Sequence, residues 1–270
     1  MSDSQTKEVA VKKQGLPPAN MLDTFVQDAG AGRENVTQDD MQIPFIRIIQ
    51  ATSPQVKKKD SKYIKGAEIG DVYNTVTNQL WKGEDGVNVI PCGYMKKFLE
   101  FGPYEDGGGF KGEIPSNDPV LKQVVRNDKN KDILPNGNEM VTSAQHYVMI
   151  QDPSTGSWSN AILDMKSTAL KISRQWNTQI AMQQIEVKGK LYTAPTFGVI
   201  WQLGVDETSN DMGSWSIWKI LGKQGFVEDA DLYTSCREFN QLVKAGEVKA
   251  AEDPDLAQKE TPEDDGQIPF

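Results

Sequence analysis

The sequence predicts a mainly β chain with inserted helices, an α+β protein built on a small, curled, mixed or antiparallel β-barrel. Three observations carry this. Five to seven segments of β-branched and aromatic residues, closed by Gly, Pro, Asn or Asp, run from Ile43 to Ile220. A clear helical period interrupts them once, after Lys166, and a second amphipathic stretch follows them. Strand–helix alternation and a strand–turn–helix glycine fingerprint are both missing, which argues against a doubly wound sheet.

Residues 1 to about 41 are polar, with Pro17-Pro18, Gly30 and Gly32 as breakers. They read as a flexible arm with one short helix from Asn20 to Asp28, which Asn20 would cap and whose apolar face would hold Met21, Leu22, Phe25 and Val26. The core, 42–245, opens with IPFIRIIQ from Ile43. A lysine run follows in a loop, then a partly alternating stretch from Val72 to Val76 and a strong strand from Val87 to Phe101. Residues 102–139, with Pro103, Pro115, Pro119, Pro135 and Gly107 to Gly109, read as a long surface excursion with at most a short helix at Pro119 to Arg126. Met140 to Gln151 and Trp158 to Met165 are two strands joined by an Asp-Pro-Ser-Thr-Gly turn. Leu170, Ile172, Trp176, Ile180 and Ile185 then fall at helical spacing, so Ser167 to about Gln184 is a helix, with Ser167 or Thr168 at its cap. A turn at Val187 to Lys190, a strand from Tyr192 to Leu203, its partner Ser214 to Ile220 and a helix from Asp229 to Ala245 complete the core. From Gly246 a disordered acidic tail is expected.

The net charge is −9, from which no bulk basic surface for nucleic acid can be inferred. The acidity lies at the ends: the last nineteen residues hold seven acids and one lysine, and residues 46–250 carry 24 of each sign. Cys92 and Cys236, far apart and with no secretory leader, predict free thiols in a reducing compartment. Together with His146 they make no zinc site, so no metal and no cofactor is expected. Apolar runs are too short for a membrane helix, which predicts a soluble intracellular protein with no membrane partner.

Cationic and aromatic residues interleave. Lys57, Lys58, Lys59 and Lys62 precede Tyr63 and Lys65; Tyr73 and Trp81 precede Lys82; Tyr94 is followed by Lys96 and Lys97. Lys171 and Arg174, three apart on the long helix, share a face. Single-stranded nucleic acid is held without sequence preference when rings stack bases and cations meet phosphates. The plainer reading places several of these rings, with Trp176, Trp201, Trp215 and Trp218, in the core. An enzyme finds little support: there is no GxxxxGK[ST] or GxSxG run, and a lone His146 fits a structural role.

The most distinctive feature is an internal echo. Asp39-Asp40-Met41-Gln42-Ile43-Pro44-Phe45 recurs at the end as Asp264-Asp265-Gly266-Gln267-Ile268-Pro269-Phe270, identical at six of seven positions. The terminal copy is an acidic tether with an apolar tip, suited to a small pocket with a basic rim. The internal copy is either the first core segment of a strand or a segment that shares a site with the tail.

The terminal copy closely resembles the acidic Ile-Pro-Phe tip of bacterial single-stranded DNA-binding proteins, and the tail as a whole is similar to that of phage single-stranded DNA-binding proteins. That resemblance implies an OB-like body, with Asp264 and Asp265 as the acidic approach and Ile268, Pro269 and Phe270 as the anchor. It further implies that the tail recruits replication or recombination proteins and competes with DNA for the groove, in the cytoplasm of a bacterial host. It covers seven residues closely and nineteen by composition, and Gly266-Gln267 replaces acidic residues nearest the tip. Non-enzymatic binding and protection of single-stranded DNA leads the readings. A phage structural or assembly protein and a strand-annealing recombination mediator are the alternatives, and homo-oligomer formation is left open.

Overall fold

The computed structural model describes residues 17–36, 40–103, 109–210, 213–251 and 253. The chain divides into two units, Met1–Met41 and Gln42–Phe270. In the first, a short 3-10 turn at Ala19–Met21 runs into α1 (Leu22–Gln27). Met21, Leu22, Phe25 and Val26 are exposed, and no side chain caps α1, so Asn20 does not play that part.

The second unit is a mixed α+β structure on one curled, open half-barrel sheet, an OB-like arrangement. Its strands are β1 (Phe45–Ile48), β2 (Val72–Asn74), β3 (Leu80–Trp81), β4 (Val87–Phe101), β5 (Phe110–Ile114), β6 (Val125–Arg126), β7 (Asp132–Ile133), β8 (Glu139–Gln151), β9 (Trp158–Lys166), β10 (Gln184–Val187), β11 (Lys190–Thr193), β12 (Val199–Asn210) and β13 (Gly213–Phe226). Its helices are α2 (Leu170–Ala181) and α3 (Ala230–Ala245). The main sheet runs β13-β12-β4-β8-β9-β1-β2-β3, with β5 branching from β4, β7 from β8 and β6 pairing with β7, and β10-β11 forms a sheet of its own. β1 pairs parallel with β9, while β4, β8, β9, β12 and β13 pair antiparallel along the path.

Several expectations are corrected. The strands outnumber the five to seven segments expected, with thirteen among the described residues, and β12 and β13 run to 12 and 14 residues. The 102–139 excursion contributes β5, which pairs with β4, besides a 3-10 turn at Pro119–Gln123. Val187 to Lys190 is the turn of a hairpin, which replaces the first part of the expected Tyr192–Leu203 strand. α2 starts at Leu170 after a 3-10 turn, without a side-chain cap from Ser167 or Thr168.

α3 does begin and end by recognisable chemistry. The Asp229 carboxylate accepts from the Leu232 N–H at 2.7 Å, and Gly246 closes the helix in the left-handed region. Packed chain continues past Gly246: Ile43 N–H donates to the Lys249 carbonyl at 2.9 Å, and Ala251 N–H donates to the Ile43 carbonyl at 2.8 Å. Ala251 and Asp253 are buried.

Both faces of the β4–β8–β9 ribbon carry core. Val89, Ala144, Val148, Ile150 and Leu163 pack with Trp176 and Ile180 of α2. Ile90, Cys92, Tyr147, Met149 and Ile162 pack with Cys236, Phe239 and Val243 of α3, and Phe45 lies among them. The internal Gln42-Ile43-Pro44-Phe45 copy is thus the seated start of β1.

A candidate single-strand interface

A β-bulge sets which side chains reach the surface beside α2. Pro91 pairs with Val148 and Gly93 with Tyr147, so Cys92 is an extra residue. An extra residue inverts the alternation beyond it. Val87 and Val89 point to the α2 side before the bulge, and Tyr94 and Lys96 point there after it. Proline is tolerated in this interior strand because the bulge already interrupts the ladder.

Tyr94, 41% exposed, lies over His146, with ring centroids 5.0 Å apart. His146 Nε2 is 2.8 Å from Ser173 Oγ on α2, and its ring is 4.7 Å from that of Trp176. Burial pushes the His146 pKa down to about 3, so the imidazole is neutral and structural. A cleft of about 530 Å³ opens here, lined by Tyr94, Met95, Asn177, Phe197, Asn240 and Lys244 among others. Lys96, Lys171 and Arg174 are exposed on the same α2 side of the sheet or on α2 itself. Aromatic, amide and cationic groups therefore meet on one surface.

A second cleft, of about 280 Å³, lies between β1, the end of β9 and β13, with Arg47, Tyr73, Lys166 and Trp215 in its walls. Lys166 Nζ is 2.9 Å from Asp164 and 2.9 Å from Asp253, and Arg47 pairs with Asp253 and lies 3.5 Å from Asp164. Ser143 Oγ donates to Asp164 at 2.6 Å. Asp164 is fixed by the sheet, whereas Asp253 arrives from the acidic C-terminal stretch. Two cations thus hold a carboxylate that the chain supplies from its own end.

The remaining candidates separate. Lys57, Lys58, Lys59, Lys62 and Lys65 are exposed on the loop after β1, with Tyr63 half-buried. Tyr73 packs with Ile49 and Ile64, and Trp81 is 3% exposed with its Nε1–H donating to the Gln151 carbonyl at 2.8 Å. Both are core residues, since neither offers an open ring face to a base. Lys82 pairs with Asp71 at 2.8 Å and Glu68 at 3.3 Å, and Lys97 with Glu113 at 2.9 Å. Those charges are engaged within the protein. Trp176, Trp201 and Trp218 are buried, and Trp215 is half-buried. Asp264, Asp265, Ile268, Pro269 and Phe270 lie outside the described residues.

Sequence reasoning missed Arg47, Asp253, Asn177 and Lys244. Arg47 carried a signal, as the one charge within Ile43-Pro44-Phe45-Ile46-Arg47-Ile48-Ile49, where an isolated cation needs a buried partner. The partner was not readable, because it comes from 206 residues away. Among the described residues no group of three or more His, Cys, Asp or Glu is placed to hold a metal ion, and no helix is long and apolar enough to cross a membrane.

The curled sheet with clefts on its surface defines an OB-like protein. The chain belongs to the Pam3 phage gp34-like protein family, whose profile matches residues 11–249. No curated protein and no solved structure matches it.

Proposed function

We propose that this chain binds single-stranded DNA without sequence preference and without catalysis, protecting it during phage replication or recombination. Its acidic C-terminal stretch recruits replication or recombination proteins and competes with the strand for a cationic groove. The observation that carries this reading is the carboxylate of Asp253 held by Arg47 and Lys166, two cations that line a cleft together with Trp215. A carboxylate and a phosphate offer the same anionic oxygens to such a pair, so the strand backbone and the chain's own end compete for it. Tyr94, with Lys96, Lys171 and Arg174 nearby, supplies the ring and charges that a sequence-tolerant site uses.

The test is a titration of the full protein with a labelled single-stranded homopolymer, a duplex control and single-stranded RNA, at low and moderate salt. Tryptophan emission is followed in parallel, and a truncation after Asp253 is the second sample. Ending the chain at Gly246 instead would remove Ala251 and Asp253, which are packed. The expected result is tight, salt-sensitive single-strand binding, retained or strengthened by truncation. No binding by either protein would sink the reading and leave the acidic end as an interaction segment of an assembly protein.

A further inference from the structure

One stretch departs from the charge of the whole. Between Met165 and Val205 five cations, Lys166, Lys171, Arg174, Lys188 and Lys190, stand against one carboxylate, Glu186, in a chain of net charge −9. Most of this stretch is α2 and the β10–β11 hairpin.

The hairpin stands as a two-stranded sheet apart from the main one. Its base is anchored, because Ala194 N–H donates to the Gln183 carbonyl at 2.9 Å and Ile185 packs against the principal core. Beyond that anchor its side chains are open: Leu191 is 67% and Tyr192 51% exposed, and Lys188 and Lys190 are exposed at the tip. The two-residue turn is Lys188-Gly189, with φ of +52° and +74°. Both residues of such a turn occupy the left-handed region, where the first position favours Asn, Asp or Gly. A lysine there places a cation at the tip against the preference of the backbone.

The hairpin also adjoins the Tyr94 cleft. Ala194 and Pro195, where it ends, line that cleft, and so does Asn177, one helical turn after Arg174. An exposed strip therefore runs from Lys171 and Arg174 past the cleft to Tyr192 and the two tip lysines.

We infer that the β10–β11 hairpin is a second strand-contacting element, with Tyr192 against a base and Lys188 and Lys190 on phosphates, extending the path that starts at Tyr94. This rests on the single-strand reading above. A ring beside two cations, with one acid in the whole stretch, is the composition that a polyanion with flat bases requires.

The test compares full-length wild type with Lys188→Asn/Lys190→Gln and with Tyr192→Ser in single-strand titrations across salt. Lys188→Asn installs a residue that the turn favours, so thermal melting should show a fold kept or made more stable. The double variant should bind several-fold more weakly at low salt, with a log–log salt slope smaller by about 1.4, from about 0.7 per lost single-strand phosphate contact. Tyr192→Ser should lower affinity about five- to tenfold with its salt slope kept. If wild type binds and both variants match it, the hairpin assignment falls and the parent reading stands. If wild type does not bind, both fall. Unchanged strand affinity with lost binding of a peptide spanning residues 254–270 would reassign the strip to the chain's own acidic end.

Discussion

The side-chain amide of Gln50 exchanges two hydrogen bonds with the backbone of Ser216: its Nε2 donates to the carbonyl at 2.9 Å, and its Oε1 accepts from the N–H at 2.9 Å. β13 is an outer strand of the sheet, so its outward backbone groups lack a neighbouring strand. One side chain supplies the pairing there. Gln50→Leu leaves both Ser216 groups unpaired in a half-buried place and should cost about 1–3 kcal/mol. Urea unfolding measures it, and an unshifted midpoint would show that the clamp does not matter.

Asp253→Asn removes one of the carboxylates that hold Arg47 and Lys166. Single-strand affinity should rise several-fold at low salt and the gain should shrink as salt is added, while stability drops by about 1–3 kcal/mol from the weakened charge-assisted bonds. Fluorescence anisotropy against salt tests this. Equal or weaker binding by a folded variant would count against competition at this pair.

His146 links stability to pH. Its pKa is pushed down to about 3 by burial, from an ordinary value of 6.5. Below pH 6.5 the unfolded chain takes up a proton that the folded chain refuses, so this contribution is complete above pH 6.5 and is lost as pH falls toward 3. By pH 5 the loss should be about 2 kcal/mol. Denaturation midpoints from pH 7.5 to 4.5 should fall less steeply in His146→Gln; parallel profiles would refute the assignment.

At Gly93 a side chain has no room. A Cβ there would lie 2.6 Å from Cγ1 of Val243 on α3. Gly93→Ala should therefore destabilise by about 1–3 kcal/mol, and Val243→Ala should restore part of the loss by clearing the contact. A double-mutant cycle in thermal unfolding reads the coupling, and strict additivity would mean that the approach is looser than described.

Lys57, Lys58 and Lys59 are exposed together on the loop after β1. Changing all three to alanine should lower single-strand affinity and reduce the salt slope by up to about 2. An unchanged slope would take this loop out of the binding path.

Local chemistry made much of the fold legible. Val87 to Phe101 is one strand because mostly apolar and aromatic residues run for fifteen positions between turns, and α3 follows from Asp229, a helical stripe and Gly246. Signals failed where pairing was distant or the turn was unusual. β5 lies among glycines and charges and becomes a strand by pairing with β4. The turn at Val187 to Lys190 was legible, but β10 before it was not, because Ile185 continued the helical spacing and only pairing with β11 makes Gln184–Val187 a strand.

The candidate site divides in the same way. The sequence by itself determined which residues are cationic, that Tyr94 and Lys96 share a strand, that Lys171 and Arg174 share a helix face, and that acidity gathers at the ends, since each follows from composition or short periodicity. Tertiary structure alone decided that Trp81 and Tyr73 are core, that Lys82 and Lys97 are paired, and that the bulge at Cys92 turns Tyr94 toward α2. It alone brought Asp253 to Arg47 and Lys166. Burial and ion pairing depend on which distant segments meet, and a periodic pattern describes one segment at a time.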